Sequence, residues 1–190
     1  NCAAAGRTAN LAVRAAIAAP VSCSVASETE RPGNAVRTAR NRGNYEHQTR
    51  LLERRKRVIE ALELPEDHRC RVENAIEEGL NHIHSGNPND AERPLSWARD
   101  IADEKGSQEL LGRAMYGIAY VHDQNGQGEK ALEALDEAQD AFAQLPNRRE
   151  LAHCLLLRAH IVRRLTQQYD RARELSLTAK DLLDNIDDPP

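Results

Sequence analysis

Aromatic side chains are scarce: one Trp, one Phe and four Tyr make up 3% of the 190 residues. That excludes the many short aromatic and β-branched strands of a sandwich or barrel, and no stretch alternates strictly between apolar and polar residues. Cysteine is sparse too. Cys2, Cys23, Cys70 and Cys154 have no paired spacing, so neither a disulfide framework nor a zinc site is indicated, and a reducing compartment, the cytoplasm, fits best. No apolar run is long enough to cross a bilayer. The stretch from Leu11 to Ala26 is a loose match to a signal peptide, interrupted by Pro20, Ser22 and Ser24.

Chemistry-bearing motifs are missing as well. The turn "NGQG" lacks the Lys and Ser/Thr of a phosphate loop, and no His-Glu-x-x-His pattern occurs. His82 and His84 stand two apart, a spacing that points them in different directions on a helix; His153 and His160 stand seven apart without a third ligand. The carboxylates Glu73, Glu77, Glu78, Asp100, Asp103 and Glu104 have the spacing of solvated helix faces rather than of an acid/base pair. Neither a catalytic group, a metal nor a cofactor is expected.

What is present favours helices. Ala, Leu, Glu and Arg dominate, and the net charge of −4 divides unevenly. Residues 1–60 carry 11 Lys/Arg and 5 Asp/Glu, leaving 15 and 25 for residues 61–190, so the front is basic and the remainder acidic. Such a front can meet nucleic acid, or it can be solvated or dock on its own acidic domain, and the second reading is preferred. Residues 1–45 are Ala-rich and broken by Pro20, Pro32 and Gly33, which predicts a poorly ordered leader. From His47 to Leu62 the spacing of Leu51, Leu52, Val58, Ile59 and Leu62 predicts one helix within a basic segment 46–64. Arg50 and the run Arg54, Arg55, Lys56, Arg57 lie on its other face, where Glu53 and Glu60 dilute them, so docking is favoured over nucleic-acid contact.

From Asp67 onward six helix-length segments are separated by breakers at Gly86–Asn89, Gly106–Ser107, Asn125–Gly128, Pro146–Asn147 and Thr166–Gln168. Gly106 followed by Ser107 reads as a helix stop and an N-cap, and Asn147 with Glu150 as a capping box. The segments repeat. Ala91, Ala131 and Ala172, like Ala98, Ala138 and Ala179, recur at 40 and 41 residues; Gly86 pairs with Gly126, Gly79 with Ala119 and Ala159, Leu95 with Leu135, and Ala102 with Phe142 and Leu183. A fixed period in this range signals stacked supersecondary units, in which small residues let neighbouring helix pairs approach closely.

This pattern resembles the tetratricopeptide repeat family, carried best by "RAMYGIAYVHDQNGQGEKALEALDEAQDAFAQLP" through Ala119, Gly126, Ala131, Leu135, Ala138 and Pro146. In the last unit it is carried by Ala159, Tyr169, Ala172 and Ala179. The period exceeds the family's usual ~34 residues, and Met115 and His122 stand where its aromatic residues are typical. That long-period form resembles the input regions of bacterial regulators. A solenoid of the HEAT kind has a compatible period, and the Gly and Ala positions favour the tetratricopeptide reading. "RNRGNYEHQTRLLERR" resembles half of a degraded earlier unit, with Arg55 in place of the expected Ala.

The resemblance implies an all-α, right-handed solenoid of antiparallel helix pairs over 65–190, in units of about 67–106, 107–146 and 147–188. It also implies a protein-binding role without catalysis, as the sensory or regulatory part of a larger chain or as a free-standing adaptor. On helical projection Leu111, Ile118 and Val121 share the core side, while Tyr116 and Tyr120 fall together elsewhere, beside Asp123. With Glu77, Asn81 and His84 from the first unit and Leu156, His160 and Arg163 from the third, they are the expected contact surface for a peptide or partner helix. Trp97 is expected to pack on a neighbouring unit. On the last helix Leu175, Ala179, Leu182, Leu183 and Ile186 form one stripe and Leu177 lies opposite, an outer leucine that predicts continuation past Pro190 or self-association through that end.

Overall fold

The computed structural model describes residues 45–146 and 148–187. The leader up to residue 44, and Asn147 of the expected capping box, lie outside the described residues. Seven helices account for most of what is described: α1 (Tyr45–Ala61), α2 (Arg69–His84), α3 (Pro88–Glu104), α4 (Gln108–Gln124), α5 (Gly128–Ala143), α6 (Arg149–Thr166) and α7 (Tyr169–Asp187). No strand occurs among the described residues. The fold is all-α, and the helices begin and end within a few residues of the breakers.

The stops have a common chemistry. Gly86, Gly106 and Gly126 have φ of +81°, +63° and +74°, and a Cβ on any of them would meet nothing within 4 Å. Glycine is therefore there for its backbone conformation and not for space. After each, the next residue's N–H bonds back into the finished helix: Asn87 to the His82 carbonyl at 2.9 Å, Ser107 to Ala102 at 2.9 Å and Gln127 to His122 at 2.8 Å. Ser107 does occupy the N-cap of α4, but its side chain makes no capping bond. At α2 the cap is His68, whose Nδ1 accepts from the Cys70 N–H at 3.2 Å.

Each helix packs on the next in sequence, and α2 also touches α4, as α4 touches α6. Gly112 near the start of α4 meets Phe142 near the end of α5, so that pair runs antiparallel. The even-numbered helices run side by side in the same direction, because Arg69 and Glu109, each in the first turn of its helix, are 2.6 Å apart, and Asp123 and Arg164, near the helix ends, form an ion pair.

The aligned small residues are buried where helices cross. Ala91, Ala98, Ala131, Ala138 and Ala179 are all fully enclosed. Leu95 lies against both Gly79 and Gly117, where a Cβ would come within 2.5 and 2.7 Å of its side chain. One core cluster joins α2, α3 and α4 around Ile76, Leu95 and Ala98, with Trp97 packed partly buried against it; a second joins α4, α5 and α6 around Leu135, Phe142 and Ile161. A smaller one holds α7 to α6 through Ala159, Ala172 and Leu175. Leu177 is 51% exposed on the other side of α7.

Candidate functional site

The surface to consider is the one shared by α2, α4 and α6, with α1 at its edge. Tyr116 and Tyr120, one helical turn apart on α4, are half-buried and rest on both large core clusters. Their rings meet edge to face with centroids 6.4 Å apart; Tyr120 lies 5.8 Å from the imidazole of His84 on α2, and His84 stacks at 6.1 Å on Tyr45 of α1. Four rings thus form a row across three helices, at separations where aromatic pairs attract. His84 is fixed within the row, since its Nδ1–H donates to the Leu80 carbonyl at 2.5 Å.

On α6, Leu156, His160 and Arg163 follow the i, i+4, i+7 spacing of one helix face, and all three are exposed, Leu156 to 40%. His84 is exposed as well, whereas Tyr116 and Tyr120 are only half-exposed.

Glu77, Asn81 and Asp123 are buried. Glu77 is 2% exposed and takes a 2.7 Å hydrogen bond from Arg113 of α4. Asp123 is 5% exposed and accepts from Arg164 of α6, whose guanidinium also reaches the Asp123 carbonyl at 3.4 Å. Asn81 is 6% exposed and donates through Nδ2 to the Thr49 hydroxyl of α1 at 2.8 Å. The reason is physical. A helical projection gives direction around one helix but not what covers that direction, and a carboxylate enclosed by neighbouring helices persists as an ion only with a cation beside it. These three side chains join helices and are not offered to a partner.

Sequence reasoning missed Arg113, Arg164 and Tyr45. A signal existed. The pairs Arg69–Glu109 and Asp123–Arg164 are 40 and 41 residues apart, the spacing of the small residues, and Glu77–Arg113, at 36, falls one helical turn short of it.

The basic segment is divided in the same way. Arg55 is turned inward, its side chain 10% exposed, donating to Glu73 at 2.8 Å and to the Cys70 carbonyl at 3.3 Å; Arg50, Arg54, Lys56 and Arg57 stay exposed. Burial pushes the Glu73 carboxyl up, but the hydrogen bonds and charges of Arg69 and Arg55 outweigh it and hold the group below the usual carboxylate range.

Among the described residues no three His, Cys, Asp or Glu side chains are grouped to hold a metal ion, and no helix is long and apolar enough to cross a membrane. Cys154 is fully buried, and burial pushes its thiol up to about 12, which keeps it protonated and unreactive at neutral pH. No protein-family model, curated protein sequence or solved structure matches this chain.

Proposed function

We propose that the chain is a protein-binding module of the tetratricopeptide kind, a right-handed solenoid of three helix pairs (α2–α3, α4–α5, α6–α7) with α1 ahead of them. A peptide or partner helix lies across α2, α4 and α6. The observation that carries this reading is the ring row Tyr45, His84, Tyr120 and Tyr116, together with the exposed Leu156, His160 and Arg163 on α6. Rigid, half-exposed rings provide contact area at low entropic cost, and a cation at the margin gives a polar anchor. The 40- and 41-residue spacing of small residues and the side-by-side run of the even-numbered helices support the solenoid. The module acts without catalysis, in a reducing compartment such as the cytoplasm, as the regulatory part of a larger bacterial chain or as an adaptor. Nucleic-acid contact through residues 50–57 is the lesser reading, because Arg55 is engaged with Glu73.

The test uses peptides selected from a random-sequence library against the intact chain. Replacing Tyr116 and Tyr120 together by Ala is expected to weaken a selected peptide by about 2 kcal/mol or more, about 30-fold. Leu156→Asp, at an exposed position that leaves the core intact, is expected to weaken it as well. Full affinity in both folded variants would overturn the site assignment.

A further inference from the structure

We propose that α1 is a releasable strap: it detaches from α2 as one unit while α2–α7 remain folded, and in doing so takes Tyr45 off the His84 ring. Its consequence for ligand access rests on the proposed binding face; the release itself does not.

α1 contributes little apolar surface to its seam with α2. Only Leu52 and Ile59 of its apolar side chains are buried. Beside them Gln48 is fully enclosed, yet neither its Oε1 nor its Nε2 has a hydrogen-bond partner within the protein. On α2 the Oδ1 of Asn81, a residue 6% exposed whose Nδ2 donates to Thr49 of α1, also lacks one. Unpaired amide groups taken out of water oppose docking, and each regains hydration when the seam opens. Release therefore exposes Leu52 and Ile59 of α1 and gives up the Asn81–Thr49 and Arg55–Cys70 hydrogen bonds, but it relieves unsatisfied polar atoms at the same time.

The charged contact is arranged so that its loss does no harm. Glu73 is bonded both to Arg55 of α1, at 2.8 Å, and to Arg69 of its own helix, at 2.8 Å. When α1 leaves, Arg55 passes into water and Glu73 keeps a cation. Undocking strands no buried charge, the outcome that makes breaking most buried pairs expensive.

The hinge is also identifiable. Beyond α1, Arg71 donates to the Leu64 carbonyl at 2.8 Å and Lys105 pairs with Asp67, so the connector is anchored from residue 64 onward. Between Ala61 and that anchor stands Glu63 at φ +50°, a left-handed conformation uncommon for a residue with a side chain. Glu63 closes the last turn of α1, its N–H bonding to the Glu60 carbonyl at 2.9 Å and that of Leu64 to the Ile59 carbonyl at 3.3 Å, so a swing of α1 about this joint gives up those two bonds as it relieves the left-handed residue. At its far end α1 carries Tyr45, which stacks on His84, so strap position and the Tyr45–His84 stack change together.

Native-state hydrogen exchange on the full chain tests this, with α7 as control. The seam of α7 is built from Ala159, Ala172 and Leu175. Amides of α1 are expected to exchange at least tenfold faster than those of α7 and of α4–α6, together and with one denaturant dependence. Gln48→Leu, which removes the unpaired amide, is expected to slow α1 at least fivefold and leave α7 unchanged. The His84 ring proton shifts should report the same opening by NMR, moving toward solvent values in Tyr45→Ala and in proportion to the open fraction. Exchange of α1 at the rate of α4–α6 would overturn the proposal, as would a folded Gln48→Leu variant in which α1 is no better protected.

Discussion

The α1–α2 and α4–α5 pairs have nearly the same helix lengths and the same antiparallel arrangement, yet they are joined by different chemistry. Between α4 and α5 the contact is Ala119, Ala131, Leu135, Ala138 and Phe142, all buried, with Gly112 leaving room for the Phe142 ring. Between α1 and α2 stand the Arg55–Glu73 ion pair, the Asn81–Thr49 hydrogen bond and the Tyr45–His84 stack, and of its own residues α1 buries only Gln48, Leu52 and Ile59. Close packing of small and large apolar groups gives cohesion with no alternative in water, whereas polar groups can exchange their partners for water. One helix pair is built to stay together and the other to part.

Three measurements break or sharpen that contrast. Phe142→Ala opens a cavity in the α4–α5 core and is expected to lower global stability by about 3–5 kcal/mol, read from the urea midpoint. A shift below about 1 kcal/mol would mean that this contact is not what holds the pair. Next in size is Arg113→Met, which leaves the carboxylate of Glu77 enclosed without its cation; a loss of about 2–3 kcal/mol is expected, somewhat below that of a fully enclosed pair because Arg113 is 19% exposed.

The smallest effect is at the α1–α2 seam and depends on pH. Glu73 titrates lower in the folded chain than its ordinary value of about 4.3. Its contribution is therefore fully present above that value and is lost as pH falls through the lower, folded one. Wild type and Glu73→Gln should differ in α1 protection at pH 6 and converge on acidification below the usual carboxylate range. A difference that persists unchanged in acid would show that charge is not involved.

The parts of this architecture that were legible in sequence are those governed by local rules. Gly86, Gly106 and Gly126 mark helix ends because a left-handed residue is needed there whatever packs nearby. Ala98 and Ala138 were legible because a crossing point demands a small side chain. Pro94 was not. It sits inside α3, where it cannot bond to the carbonyl four residues back, and the helix continues through it under tertiary packing. At the proposed binding face Tyr116 and Tyr120 were singled out because apolar periodicity left them over. Glu77, Asn81 and Asp123 were misplaced because the side chains enclosing them come from other helices, at distances in sequence that a projection of one helix does not contain.

The ion pairs that join the even-numbered helices also make those helices non-interchangeable. From α2 to α4 a cation faces an anion at Arg69–Glu109 and an anion faces a cation at Glu77–Arg113; from α4 to α6 the anion is Asp123 and the cation Arg164. Forty residues before Asp123 stands Ile83, and forty after Glu77 stands Gly117, so neither acid is repeated at the matching place in the neighbouring helix. A copy of one pair inserted beside its original, or two chains exchanging helices out of order, would enclose a carboxylate with no guanidinium to meet it. The charges thus act as a key for neighbour order, since a wrong neighbour costs the burial of an unpaired carboxylate.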